Sequence, residues 1–449
     1  MICKVTSTLK SGFVRSVSAL AGATASAQML ALLALPFLTR LYTPEEFGLL
    51  AIFSALLGMV SVVASLRYQV AIPLPKTDAL AANILGVALV AVIGVTVLTV
   101  IAVTLFGDGL TVLIDSPELS TYMWLLPIGV AAIGAYNIFQ LWATRKRAFK
   151  RISITRIEQA VGGVGAQLGL GVAGFGAGGL IVGQLISQGS GFLGLARRAI
   201  KEDGHILKQI NLRRMTVAAS AYRRYPKYST FEALANSASV QLPLIIIAGF
   251  VGSAELGMLM LAMRIMQAPM SLVGMAVSQV YYVQAVDEFR QGRLAELTAK
   301  VMGGLAKLGI GPLLFAALVA PSLFGIIFGE AWQRAGVLLA WMTPWFVLQF
   351  MTSPVSMALH VTSHQRLALG LQVFGLTFRV TTVVTAGELI NGGVSEWYAA
   401  SGAVFYLFYL IVVSGVVGLR FTDLMYQLWS ALPYILVWVV VAISIVLFF

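Results

Sequence analysis

A few basic side chains interrupt apolar stretches of this sequence. Arg264 and Arg379 lie near the middle of such stretches, and Lys307 lies nearer one end of another. A charged side chain at the centre of a bilayer costs on the order of 3 kcal/mol or more, so it needs a partner or a water-filled cavity. Arg15 and Arg67 fall at the ends of apolar stretches, where a long side chain can reach the head groups. We therefore predict that Arg264 faces a cavity. A lipid-facing position is equally unfavourable for Arg379.

Acidic residues are missing from the middle of the same stretches. Glu158 and Glu232 are the nearest candidates, and both fall near the ends. Buried carboxylates are the usual groups for binding a cation or relaying protons in a membrane. Arginine instead binds phosphate oxygens through paired hydrogen bonds. A cavity that contains arginine and no acid therefore predicts an anionic ligand.

Other motifs predict no catalytic chemistry. The segment Gly169–Gly174 matches the dinucleotide fingerprint, but it lies in an apolar stretch that no strand precedes. The phosphate-binding motif of ATPases does not occur, so we expect no ATP hydrolysis by this chain. His360 and His364 have a spacing that metal ligands can have, but no carboxylate or cysteine lies close in sequence, which favours a structural or solvated role. We expect no catalytic residue, no cofactor and no metal, and the lone Cys3 excludes an intramolecular disulfide.

The composition is that of a polytopic helical membrane protein. Of the 449 residues, 59% are hydrophobic and 11% are charged, against about a quarter charged in soluble domains. Spans of about 20 apolar residues cross a bilayer. The predicted fold class is an all-α polytopic membrane protein with about 12 core transmembrane helices and one further C-terminal helix. The predicted spans are 15–37, 47–66, 80–106, 121–143, 155–175, 177–196, 231–250, 255–284, 301–328, 335–359, 367–388, 396–418 and 428–449.

The distribution of charge predicts the orientation. Residues 197–227 carry nine Lys/Arg against only two acids, and such a block beside a span belongs on the cytoplasmic side. With a cytoplasmic N-terminus, most of the 30 Lys/Arg fall inside, whereas the outside loops hold only Arg40 and Arg334. The net charge of +12 therefore fits orientation and contact with anionic lipid, and we expect no nucleic-acid partner.

The two halves of the chain resemble each other. The segment Glu46–Leu50 opens the second span, and the similar segment Glu255–Leu259 opens the eighth. Six spans return the chain to its starting side, which predicts a parallel repeat whose two lobes face a cavity near the midplane. We predict an N-terminal six-helix lobe over 1–196, a basic cytoplasmic linker over 197–229, a C-terminal six-helix lobe over 230–420 and an extra transmembrane helix over 421–449.

Glycines predict close helix packing at the end of the first half. The pairs Gly165/Gly169 and Gly179/Gly183 have the spacing at which small residues let two helices approach. We therefore predict a tight helical hairpin from Gly162 to Gly194.

Three segments resemble a known family. The run from Leu38 to Gly48 is similar to the first outside loop of the bacterial polysaccharide flippases for O-antigen and exopolysaccharide. Phe328–Trp332 and the Pro-containing run from Arg67 to Lys76 resemble the same family. The resemblance extends over nearly the whole chain in helix order and is strongest in the first 80 residues.

The resemblance implies both a fold and a function. Multidrug-and-toxin extruders and lipid II flippases share the implied fold of twelve core helices in two lobes. The implied activity is transfer of undecaprenyl-diphosphate-linked oligosaccharide across the bacterial inner membrane, with the polysaccharide polymerase and export machinery as partners beside membrane lipids. The related lipid II flippases use a cationic cavity, and Arg15, Arg67 and Arg264 occupy comparable positions here.

The sequence thus favours a flippase that works by alternating access. In this hypothesis Arg264, helped by Arg67 and Arg15, holds the diphosphate, with Arg379 as a further cation of the binding site. Polar side chains then contact the sugars: Gln69, Tyr68, Asn137, Gln140 and Gln241. The first alternative is a multidrug or cation antiporter of the same fold, which predicts a buried acid that the sequence lacks. A polysaccharide polymerase or ligase is disfavoured because no outside loop is large enough to carry the reacting groups.

Overall fold

The chain forms helices joined by short turns, without a β-strand among the residues described. The structure, a computed structural model, describes residues 2–390 and 392–448, with side chains from 22 to 447 apart from position 365 and several positions between 269 and 283. The helices are α1 Ile2–Leu41, α2 Pro44–Ser61, α3 Asp78–Leu113, α4 Leu125–Arg145, α5 Phe149–Val172, α6 Ala177–Gly189, α7 Gly191–Leu207, α8 Leu212–Ala221, α9 Thr230–Pro269, α10 Met275–Arg290, α11 Leu294–Leu305, α12 Gly311–Phe328, α13 Gln333–Thr352, α14 Ala358–Val361, α15 Gln365–Thr385, α16 Val394–Val417 and α17 Phe421–Phe448.

The all-α membrane fold predicted from composition is confirmed, but the number of spans differs. Within the described chain, 11 helical segments are long and apolar enough to cross a membrane, against thirteen predicted. One difference is α5, which is long enough but carries Lys150, Arg151, Arg156 and Glu158 in its first half. The other is α9, whose continuous helical hydrogen bonding joins two predicted spans.

Gly252 divides α9 into two helical parts. Its backbone angles, φ 76° and ψ 172°, are far from helical, and a side chain would disfavour them. The helix therefore bends sharply between residues 230–251 and 253–269, where the sequence predicts a turn between the seventh and eighth spans. The two spans thus exist as two helical parts without a loop between them.

The helices pack into two compact units. Unit 1 comprises Met1–Tyr42 and Leu49–Gln241, and unit 2 comprises Thr43–Gly48 and Leu242–Phe449. In unit 1, α5 packs against α1 and α6, while α4 packs against α3 and α7. In unit 2, α13 packs against α12 and α16, and α17 packs against α11 and α12. The finer predicted division into lobes, linker and extra helix stays a prediction.

The first turn of α2 explains one of the segments that carried the family resemblance. The Glu46 carboxylate accepts a hydrogen bond from the Thr43 amide at 2.9 Å, and the Thr43 hydroxyl accepts one from the Glu46 amide at 3.4 Å. This reciprocal capping box satisfies two amides that a helix start leaves unpaired. Pro44 follows at the first helical position, where its missing N–H costs nothing. Thr-Pro-Glu-Glu is therefore a helix-start signal.

The two similar segments of the halves meet within unit 2. A Cβ on Gly48 would stand 1.8 Å from the Ser253 carbonyl oxygen, and a Cβ on Gly257 would stand 1.9 Å from that of Pro44. Only glycine permits two backbones to approach so closely. The glycine that each segment contributes at the same place thus has a packing reason.

The predicted hairpin of α5 and α6 forms, but with different glycines on one side. Gly183 packs against Gln167, and a Cβ there would stand 2.8 Å from the Gly163 carbonyl oxygen. Around Gly165 and Gly169, no described atom outside their own helix lies within 4 Å of where a Cβ would stand. The prediction of those two glycines was wrong, because the spacing of small residues does not determine which helix face meets the neighbour.

Candidate functional site

The turn after α2 holds three of the predicted site residues in unit 1. Arg67 has a left-handed backbone, with φ 63°, and precedes a short 3-10 helix, Tyr68–Ala71. Its guanidinium is partly buried, and Nε has no hydrogen-bond acceptor among the described residues. A non-glycine residue in this conformation costs about 1–3 kcal/mol and persists only where surrounding structure enforces it. The fold therefore holds an incompletely paired guanidinium in a strained position.

Tyr68 and Gln69 are buried, and both are hydrogen-bonded inside unit 1. The Tyr68 hydroxyl donates to the carbonyl oxygen of Ala219 on α8 at 3.3 Å, and burial raises its pKa, which keeps the phenol protonated. The Ser65 hydroxyl donates to the Gln69 side-chain oxygen. Both side chains thus stabilise the turn, and their contact with sugars stays a prediction.

Arg145, whose guanidinium is hydrogen-bonded to several acceptors, fixes the rest of this turn to the end of α4. Arg145 Nε donates to Asp78 Oδ1 at 2.9 Å, and Nη1 lies within 3.3 Å of the carbonyl oxygens of Ile72, Pro73 and Pro75. Such pairing offsets the cost of burying a guanidinium. Arg145 therefore determines the path of the chain from the turn into α3.

The same cluster fixes the basic block. Lys146 bridges Asp78 at 2.7 Å and Asp203 of α7 at 3.1 Å, and the indole of Trp142 donates to Asp203 at 2.9 Å. Burial lowers the pKa of Lys146, but the two carboxylates outweigh it and hold that pKa above its ordinary value. The first part of the basic block is thus a helix attached to α4.

The other predicted polar residues of unit 1 are only partly buried. Asn137 and Gln140 lie one turn apart on α4, and the side chain of Gln241 packs against Gly58 of α2. None of these three side-chain amides has a hydrogen-bond partner among the described residues. Arg15 belongs to α1, but its side chain lies outside the described residues. The predicted role of these residues in binding remains untested.

Arg264 lies in the second part of α9, in unit 2. Its side chain is partly buried, and in the described part of the chain it has no ion pair and no hydrogen bond. Leu261, Ala262 and Met263 directly before it are buried. The arginine therefore carries its charge into an apolar helix without a described counter-ion, and its predicted role as a ligand-binding cation stays a prediction.

Arg379 is surrounded by aromatic rings. Its guanidinium carbon lies 4.9 Å from the ring centres of Trp345 and Phe405 and 5.7 Å from that of Tyr406. Nε and Nη2 are buried and have no acceptor among the described residues. Cation–π attraction stabilises the charge, while these two donors stay without a described acceptor. Arg379 thus lies inside the packing of α13, α15 and α16.

A second charged cluster joins three helices of unit 2. Arg334 at the start of α13 donates to Glu255 of α9 at 3.0 Å and also to Glu396 of α16. The sequence prediction puts all three residues in outside loops, and the structure shows that they lie close together. One cation here faces two carboxylates, and Glu396 Oε2 has no donor among the described residues.

Sequence reasoning missed both charged clusters as structural units. Asp78 and Arg145 lie 67 positions apart, and Glu255 and Arg334 lie 79 positions apart, so no local spacing marks them. The available signal was charge complementarity: Asp203 is one of two acids in a basic block, and Arg334 is one of two arginines in the predicted outside loops.

The sequence matches a known protein family. A family model described as polysaccharide biosynthesis protein matches residues 37–336, which is more than half of the chain. The chain belongs to this family. The match includes the turn with Arg67 and the helix with Arg264, which confirms the family resemblance predicted from the sequence.

One known relative is named as a transport protein. The chain is 24% identical over 324 residues to the succinoglycan biosynthesis transport protein ExoT of Rhizobium meliloti (strain 1021). That alignment covers 68% of this chain and 60% of the relative, so the chain spans about 60% of the relative's length.

Solved structures with the same fold include a flippase and a drug transporter. The lipid II flippase MurJ in an inward closed conformation has a TM-score of 0.68 at 12% identity, over 96% of this chain and 97% of that one. A multidrug resistance MATE family transporter of the MOP superfamily has a TM-score of 0.62 at 16% identity, over 87% and 95%. The polysaccharide biosynthesis protein therefore has the fold of these transporters and is a multi-pass membrane protein.

Proposed function

We propose that this chain is a flippase for undecaprenyl-diphosphate-linked oligosaccharide repeat units in the bacterial inner membrane. It serves the synthesis of a polysaccharide such as O-antigen or exopolysaccharide, and it works by alternating access without a catalytic step. The observation that carries this proposal is the family match over residues 37–336. The transport role named for ExoT and the fold shared with MurJ support it.

Arg264 is the proposed diphosphate ligand, because its charge lies within an apolar helix and has no described counter-ion. A diphosphate supplies paired oxygens that match the geometry of a guanidinium. Arg67 and Arg379 support the same role, since each keeps at least one buried N–H group without a described acceptor. Arg15, Gln69, Tyr68, Asn137, Gln140 and Gln241 complete the proposed set of substrate contacts.

The proposed orientation places the N-terminus and the basic block in the cytoplasm. A membrane potential contributes roughly 2.3 kcal/mol per charge per 100 mV, and its sign favours outward movement of anions. A negatively charged lipid carrier therefore gains from the potential when it moves to the outer leaflet. There we propose that it meets the polysaccharide polymerase and the export machinery.

A deletion strain tests the proposed activity. We expect lipid-linked repeat units to accumulate on the cytoplasmic side, and the full chain to restore polysaccharide export. The Arg264→Ala variant should be present at a normal level without restoring export. Lys307→Gln is the matched control, because Lys307 is another cation within an apolar helix of unit 2 and lies 5.9 Å from the Tyr434 ring. Full export with Arg264→Ala would remove this arginine from the mechanism.

The same strain separates the alternatives. Repeat units that accumulate on the outer side would identify a polymerase or ligase. A drug-sensitive phenotype with normal polysaccharide would identify a multidrug or cation antiporter. Either result would contradict the flippase proposal.

A further inference from the structure

A basic cleft opens where the turn between α4 and α5 meets α7, in unit 1. Its volume is about 420 Å³, and it is lined by Arg147, Ala148, Lys150, Arg151, Ile154 and Arg198. Four of these six residues are cations, and none is an acid. The site residues of the proposed transport reaction do not line it.

The charge of the cleft is only partly compensated. Arg151 lies 3.8 Å from Glu158, and Arg198 lies 2.8 Å from Glu202. Both acids are more than half exposed, and ion pairs of this kind contribute little in water. In the part of the chain that the structure describes, Arg147 and Lys150 have no acidic partner. An anion with several oxygens can therefore bind here without first breaking a strong pair.

The backbone holds the cations in place. Arg147 has a left-handed conformation, with φ 55°, and the turn is closed by hydrogen bonds from the amides of Arg147 and Ala148 to α4 at 3.0 Å and 2.9 Å. On the opposite wall, a Cβ on Gly194 would stand 2.8 Å from Arg151 Nη2. The glycine thus leaves room for this guanidinium to lie across α7. Strained backbone of this kind is frequent at binding sites.

An apolar stripe leads away from the cleft along α5. Ile154, Ile157 and Val161 are 36%, 43% and 55% exposed and lie on one face of the helix, with Lys150 one turn before them. Residues at these spacings form a continuous surface along a helix. The surface therefore presents cations at one end and exposed hydrocarbon beyond them.

We propose that this cleft binds the phosphate head group of an anionic membrane lipid, whose acyl chains lie along the exposed stripe of α5. Phosphate oxygens match the four cations, and the stripe matches the chains. A water-soluble phosphate ester shares the first feature but cannot use the second. The site is separate from the transport proposal, since its test measures lipid binding and needs no transported substrate.

Lipid retention by the purified full chain tests this site. Native mass spectrometry compares phosphatidylglycerol with phosphatidylcholine on the wild type and on three variants. In R147Q/K150Q, we expect phosphatidylglycerol binding to weaken about tenfold or more, because two charge-assisted contacts are lost. The matched control R213Q/R214Q removes the same charge from exposed positions of α8 and should bind like the wild type. The third variant, I157S/V161S, keeps the cations and should also bind the lipid more weakly.

Three outcomes would overturn the proposal. Unchanged retention by R147Q/K150Q would show that the cleft does not bind the head group, and an equal loss in R213Q/R214Q would reveal diffuse attraction to the basic surface. Unchanged binding by I157S/V161S, together with displacement of the lipid by glycerol phosphate, would assign the cleft to a soluble phosphate ester. If the double variant does not fold, K150Q alone changes one exposed side chain and should show a smaller loss in the same direction.

Discussion

Arg145 of unit 1 and Arg379 of unit 2 are both arginines packed among membrane helices. They differ in how many of their guanidinium N–H groups are hydrogen-bonded. Arg145 is 10% exposed and meets one carboxylate and three carbonyl oxygens. Arg379 faces three aromatic rings, and two of its buried nitrogen atoms have no described acceptor. The first is a complete structural contact, whereas the second leaves two buried donors without a described acceptor.

This difference distinguishes an arginine that stabilises the fold from an arginine proposed to bind substrate. A guanidinium whose N–H groups are all hydrogen-bonded gains no free energy from binding a phosphate, because the phosphate oxygen must displace an acceptor that is already bound. An arginine held by ring faces keeps its charge stabilised while its edge stays unpaired. We therefore expect loss of Arg145 to damage folding and loss of Arg379 to damage transport.

The largest expected effect on stability comes from Arg145→Ala. It removes the hydrogen bonds from Arg145 to the turn and to Asp78 and leaves Asp78 paired with Lys146, which should cost about 3–5 kcal/mol. We expect a strong fall in the melting temperature and in the amount of folded protein in the membrane. Arg147→Ala, at an exposed neighbour, is the control and should melt like the wild type. Equal melting of Arg145→Ala and the wild type would contradict a structural role.

Trp142→Phe should have an intermediate effect. It removes the indole donor to Asp203 but leaves the Lys146 bridge, so we expect a loss of about 1–3 kcal/mol, measured by thermal unfolding. Tyr228→Phe, at an exposed aromatic residue outside the cluster, should change nothing. An effect as large as that of Arg145→Ala would mean that Asp203, and not the turn, holds this cluster together.

Arg379→Met should have the smallest effect on stability. The lost cation–π attraction is about 0.5–2 kcal/mol, and it is offset by removal of two buried unpaired donors. We expect a net change within about 1 kcal/mol but reduced polysaccharide export, measured at equal protein level. Arg366→Met, on the exposed start of the same helix, should export normally. If Arg379→Met unfolds while export per folded molecule is unimpaired, Arg379 has a structural role and the prediction is contradicted.

The sequence predicts much of the fold because long apolar stretches must form helices in a membrane. Helix starts such as Thr43–Glu46 are encoded in a few neighbouring residues, so they can be recognised locally. Whether α5 meets α6 through Gly163 or Gly165 depends on the rotation of a helix about its axis, which spacing alone does not determine. The merged span around Gly252 likewise depends on one backbone conformation.

The candidate site is less accessible to sequence reasoning for a physical reason. Arg264 is recognisable because a charge in an apolar stretch is costly, wherever its side chain points. Arg145 carries no such local signal, because its partners lie about 70 positions earlier in the chain and include backbone carbonyls. Polarity alone marks Tyr68 and Gln69, and the structure adds that the Tyr68 hydroxyl and the Gln69 side-chain oxygen are already hydrogen-bonded within unit 1.

The most direct test of the central proposal is transfer of a lipid-linked oligosaccharide between leaflets by the purified chain in liposomes. The transferred fraction is measured by lectin capture on the outer surface. We expect transfer by the wild type and by Lys307→Gln, and a rate at least about tenfold lower for Arg264→Ala, because a charge-assisted contact to the diphosphate is lost. Transfer by Arg264→Ala at the wild-type rate, or none by the wild type, would contradict it.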